Sequence, residues 1–130
     1  MIAVDTSAIV AIALGESEAR VFGEMIAGEE CIVGWPTVFE CHQVLADVPG
    51  RRGLDVLDKV LEAPRMRLVA FDQRVFAGAR QAFDRFGRGR HRAKLNFGDC
   101  MAYAIAKVHD VPLLYKGGDF ALTDIRAALP

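Results

Sequence analysis

The sequence has no cysteine pair. Cys31, Cys41 and Cys100 stand far apart with no C-x-x-C spacing, which speaks against a disulfide framework and a structural zinc site. No apolar run reaches the roughly 18 residues of a membrane span. The apolar start, Met1 to Leu14, lacks a basic leading segment and is interrupted by Asp5, unlike a secretory signal. No repeat, linker or low-complexity stretch divides the chain, and the formal net charge is only -1. These absences predict a reduced, cytoplasmic protein with no membrane partner. What is present is 130 residues with a hydrophobic share of 52% and a charged share of 25%. That composition predicts one globular domain over 1–130, large enough to bury a core.

The small net charge hides a separation of signs. Residues 80–94 carry six basic side chains and one acid, so the remainder is distinctly acidic. An anionic partner on one patch and a cation on another are the expected counterparts.

Short apolar runs alternate with amphipathic stretches. Ile2–Val4, Cys31–Val33, Arg67–Phe71 and Val111–Tyr115 read as strands, with a short last strand over Thr123–Ile125. Helices are predicted over 6–14, 16–27, from Trp35 to Pro49, over 53–63, from Asp72 to Phe86, and from Asn96 to His109. Pro36 suits a first helical turn. Gly28 to Glu30 reads as a turn. Strand–helix alternation means βαβ units, hence an α/β fold: a three-layer α/β/α sandwich around a mostly parallel sheet. Ligands of such sheets bind beyond the carboxyl ends of the strands.

Several acids fall near that rim. Asp5 follows the first strand, where it serves equally as a helix N-cap or a metal ligand, with Thr6 and Ser7 placed to orient it. Glu40 lies on the margin of an apolar helix face. Asp99 is three residues after Asn96, a spacing that also suits a capping pair. Asp119 follows Gly117-Gly118, where an Asx turn is the simplest use, and Asp124 is a weaker candidate of the same type. Each has a structural explanation alone. Together, carboxylates gathered at one rim repel unless protonated or neutralised by a cation. Oxygen ligands suit Mg²⁺ or Mn²⁺, and such a site beside a basic segment fits phosphodiester hydrolysis.

The segments Ile2–Ala8, Thr37–Glu40, Leu95–Ala104 and Leu113–Phe120 with Thr123-Asp124 resemble the PIN domain, and most closely its VapC toxins. The resemblance runs the length of the chain in order, and Asn96-Phe97-Gly98-Asp99 is its most specific part. It implies an Mg²⁺-dependent endoribonuclease, the toxin of a toxin–antitoxin pair, with Mn²⁺ as a substitute. It implies Asp5, Glu40 and Asp99 as the central metal-binding acids and Asp119 as the fourth, with Asp124 in reserve. Thr6, Ser7 and Asn96 are their supports. It also implies a VapB-type antitoxin and a homodimer. The Gly-Gly turn departs from relatives that carry an acid or Asn there. Arg85, Arg88, Arg90, Arg92 and Lys94 are the expected RNA contacts, since they crowd the loop leading into the Asp99 helix.

Two other readings compete. Gly118-Asp119 with Asp124 is similar to the last motif of haloacid-dehalogenase-type phosphatases, but Ser7 stands where those enzymes need a second acid. A catalytically silent binding module of the same fold would have no use for the acids.

Overall fold

A computed structural model describes all 130 residues. Four short parallel strands form one sheet in the order β3-β2-β1-β4. They are β1 (Ile2–Val4), β2 (Cys31–Gly34), β3 (Met66–Val69) and β4 (Leu113–Leu114). Ile2 pairs with Cys31 and Ala3 with Ile32, while Ala3 also meets Leu113 and Val4 meets Leu114. β2 and β3 pair from Cys31 and Met66 to Gly34 and Val69.

Alternate strand residues feed two cores, as a strand's period of two requires. Ile2, Val4, Cys31, Val33 and Leu114 face one layer, which holds α1 (Thr6–Ala13), α2 (Ala19–Gly28), α3 (Trp35–Ala46) and α4 (Arg52–Leu61). Ala3, Ile32 and Leu113 face the other, with α5 (Gln73–Phe86) and α6 (Phe97–Val108). Because helices cover both faces, the strands are continuous apolar runs rather than alternating ones. Gly34 lets α6 come close: a β-carbon there would lie 2.8 Å from the Ile105 side chain. The chain winds outward from β1 to β3 and then returns to β4 on the far side of β1. That reversal puts the crevice of the sheet beside the end of β1, where Asp5 stands.

The structure shortens or moves several predicted elements. α2 begins at Ala19, because Gly15 takes a left-handed turn (φ +64°) and residues 16–18 form the link; Gly28 ends the helix instead of turning. α3 ends at Ala46, before Pro49-Gly50. α4 runs from Arg52 to Leu61, and β3 from Met66 to Val69. β4 has two residues instead of five. Pro112 has no N–H to donate, and beyond Tyr115 the Lys116 N–H is diverted to Ser7 Oγ at 2.9 Å. Thr123–Ile125 is not a strand. The Thr123 hydroxyl donates to Phe120 O and accepts from Ile125 N, a local turn that competes with pairing. A 3₁₀ turn occupies Phe120–Leu122, and the edge of β4 is met by a single bridge from Leu113 to Ala127. No helix is long and apolar enough to cross a membrane. All three cysteines are free and buried.

Candidate active site

Asp5 leaves the sheet at the end of β1, its N–H tied to Leu114 O at 2.9 Å. It is 3% exposed and caps α1. Its Oδ2 accepts from Ser7 N at 3.0 Å and from Ser7 Oγ at 2.6 Å. Burial pushes its carboxyl up to about 6; the Ser7 bonds oppose this, and the charges of Asp99 and Glu40 add to it. Ser7 Oγ in turn accepts the Lys116 N–H, so the loop after β4 and the start of α1 are joined through one hydroxyl.

Glu40 is half-buried on the second turn of α3. The Thr6 hydroxyl donates to its Oε1. Thr6 therefore bonds Glu40, whereas Ser7 bonds Asp5, so the two hydroxyls are divided between two acids.

Asp99 sits at the third position of α6, inside a reciprocal cap. Asn96 Oδ1 accepts from Asp99 N at 2.9 Å, and Asp99 Oδ2 accepts from Asn96 N at 3.0 Å. The capping reading of the Asn96-x-x-Asp99 spacing thus holds, and a capping carboxylate keeps lone pairs free for a second partner. Burial raises the Asp99 carboxyl, helped by Glu40 and Asp119 and opposed by the Asn96 bond and Arg88. Asp119 is exposed after the left-handed Gly117 (φ +102°), and its charge is felt at Asp99.

None of these four acids takes part in any of the molecule's ion pairs. Asp124 differs sharply. It accepts from the Tyr103 hydroxyl, from Lys107 at 3.2 Å and from Arg85 at 3.3 Å. Although burial opposes it, these donors and charges hold the Asp124 carboxyl below its usual range. Asp124 is saturated by its own cations, and Arg85 is spent on it.

The basic loop is well tied. Arg88 N donates to Leu95 O, Leu95 N to Phe86 O, and Ala93 N to His91 Nδ1. Gly89 (φ +82°) and Lys94 (φ +54°) turn it. The Arg90 guanidinium lies 4.7 Å from the centre of the Phe83 ring. Arg92, Lys94 and Arg88 are exposed, and the charge of Arg88 reaches Asp99.

The roles of two residues escaped the sequence reading. Lys116 holds the loop before Asp119 in place: its ammonium bonds Glu16 and lies 3.3 Å from Glu18. Gly98 is the other. A β-carbon there would meet the Glu40 carboxylate. Gly98 stands in the Asn96-Phe97-Gly98-Asp99 segment, but the sequence does not show what its missing β-carbon makes room for.

The arrangement favours a hard cation. Its donors are all oxygen, its charges are in no direct ion pair, and burial disfavours their coexistence. No three acid side chains stand ready to hold one ion directly. Mg²⁺ fits such a spread set, since it keeps several waters and takes only one or two carboxylates directly.

The chain is similar to known proteins along nearly its whole length. The model of the PIN domain matches residues 2–125. The chain is 41% identical over 125 residues to a protein of Mycolicibacterium smegmatis called Ribonuclease VapC, covering 95% of this chain and 97% of that one. Among solved structures, Mycobacterium tuberculosis VapC20, described as a sarcin-ricin loop cleaving toxin, superposes with a TM-score of 0.79 at 16% identity, over the full length of both chains. VapBC2 of Rickettsia felis, bound to a DNA fragment from its promoter, gives 0.72 at 15% identity, covering 98% of this chain and 97% of that one.

Proposed function

The chain belongs to the PIN-domain family, among its VapC ribonucleases, and from that membership we propose that Asp5, Glu40, Asp99 and Asp119 form the active site of an Mg²⁺-dependent endoribonuclease. The activity class follows from the family: a toxin that cleaves RNA. The phosphatase and silent-module readings fall with it. The metal identity and the residues are our assignment. One observation carries it: three carboxylates from three separate elements gather at the end of β1, and none is in an ion pair, Arg88 acting on Asp99 only at a distance.

A bound Mg²⁺ polarises the scissile phosphate and makes water a nucleophile near neutral pH, and Mn²⁺ supplies the same chemistry. The protein's part is to hold and orient. Ser7 fixes the Asp5 carboxylate, Thr6 turns Glu40, and Asn96 sets Asp99. Asp119 completes the set from the exposed rim. Asp124 is not assigned, because Tyr103, Lys107 and Arg85 already occupy it. Arg88 is placed to hold phosphate beside Asp99, with Arg90, Arg92 and Lys94 following the strand and Arg85 left to its Asp124 pair. Hydrolysis by water leaves 5′-phosphate and 3′-hydroxyl ends and does not need the RNA 2′-hydroxyl, so preference for RNA rests on contacts outside the acids.

An antitoxin partner accords with the VapBC neighbour; its VapB type, a homodimer, one domain over 1–130 and a cytoplasmic location complete the proposal. The test is RNA cleavage by purified Asp5→Asn and Asp99→Asn. Each should lose activity by at least 100-fold with the far-ultraviolet spectrum intact, and EDTA should silence the wild type until Mn²⁺ or Mg²⁺ is returned. Wild-type rates from both variants would refute the site.

A further inference from the structure

We propose that Gly98 is a positioning residue: by lacking a β-carbon it lets the Glu40 carboxylate lie against the first turn of α6, beside Asp99. The inference rests on Glu40 belonging to the cation site.

The backbone gives no reason for glycine at this position. Gly98 is not among the four left-handed glycines, and it sits at the second position of a helix whose neighbours on both sides are ordinary residues. Glycine there weakens the helix relative to alanine. Space is the compensation. A β-carbon at 98 would lie 2.5 Å from the Glu40 carboxyl carbon and closer still to Oε2. No other glycine has a carboxylate in that place.

Glu40 is flexible enough to move aside, but not without consequence. Its Oε1 is held by the Thr6 hydroxyl from α1. A β-carbon at 98 would press on the carboxyl carbon and on both oxygens, the Thr6-bound Oε1 included, from α6. Retreat from position 98 therefore breaks the Thr6 bond or carries the carboxylate away from Asp99. Where it lies now, it also faces the positive end of the α6 dipole, which favours a negative charge. Gly98 thus brings together like charges from α3 and α6 that would otherwise be kept a side chain apart.

The experiment compares Gly98→Ala, Glu40→Ala and the double variant of the full chain. Without metal, Gly98→Ala should raise Tm by about 3 °C more in the Glu40→Ala background than in the wild type, because only there does alanine improve the helix without displacing a carboxylate. Equal increments in both backgrounds would overturn the proposal. Mn²⁺ affinity, measured by calorimetry without RNA, should fall at least 10-fold in Gly98→Ala, and kcat should fall while KM for RNA holds, since the basic loop is untouched. Wild-type Mn²⁺ affinity and kcat in Gly98→Ala would also overturn it. Glu40→Gln separates the two ideas. If that variant binds Mn²⁺ and cleaves RNA normally, the acid-site assignment fails, while the Tm cycle still decides whether Gly98 accommodates Glu40.

Discussion

At Asp5 the surroundings work against the charge that the proposed site would use. Burial lifts its carboxyl from 3.8 to about 6, so the folded protein binds that proton more tightly than the unfolded chain does. The stabilisation is fully present below about pH 4 and is lost as pH rises through about 6. A rise of that size corresponds to roughly 3 kcal/mol. Asp5→Asn keeps an oxygen for both Ser7 bonds and carries no charge. In EDTA at pH 7.5 its Tm should therefore exceed that of the wild type by roughly 8–12 °C, and near pH 4 the two should converge. Calorimetry at the two pH values checks this; a gain of the same size at both would mean that charge is not the cause. The same burial would favour a cation at the proposed site, since neutralising ionised Asp5 would relieve what burial imposes.

At the level of elements, the segment between α5 and α6 divides its charges between structure and solvent. Arg85 belongs to the Asp124 pair with Lys107, Arg90 packs over Phe83, and Arg88 alone acts electrostatically on Asp99. Each phosphate contact to a single strand adds about 0.7 to the salt slope of binding. In an Asp5→Asn background, which prevents cleavage, Arg88→Ala should flatten the slope for RNA by about that amount. Arg85→Ala should leave the slope unchanged and cost only about 0.5 kcal/mol of stability, as an exposed pair does. An equal loss of slope in both would spread the RNA contact evenly along the loop. The site depends on this tethering, because the loop runs directly into the Asn96 cap that orients Asp99.

For the whole molecule, the surface beside the acids is more apolar than a lone small protein needs. Trp35, Phe39 and Phe97 are each more than half exposed. Phe39 and Phe97 line a cleft of about 320 Å³ with Pro36, Gln43 and Met101, and Glu40 sits in its wall. Contiguous exposed apolar surface marks a contact. Light scattering should return twice the 14.2 kDa chain mass, and Phe39→Glu with Phe97→Glu should return 14.2 kDa at unchanged helicity. A monomeric wild type would remove the homodimer from the proposal; a dimeric double variant would move its interface elsewhere.

Periodicity and capping chemistry are local, and so the α/β class, the parallel sheet, the Asp72 and Asn96 caps and the Pro36 helix start were legible from residues alone. So were the acids as types, since Asp5, Asp99 and Asp119 each follow a strand or open a helix. Local signals misjudged where pairing stops. The short β4 and the missing strand at Thr123–Ile125 were decided by a Ser7 hydroxyl more than a hundred residues away and by a Thr123 turn. Asp119 and Asp124 looked alike in sequence, and only packing separated them, by bringing Tyr103, Lys107 and Arg85 to one and leaving the other bare. The acids' shared field, the Thr6 bond to Glu40 and the space at Gly98 have the same origin. Each joins elements distant in the chain, and no pattern along the chain encodes the distance between two side chains until the sheet has brought their elements together.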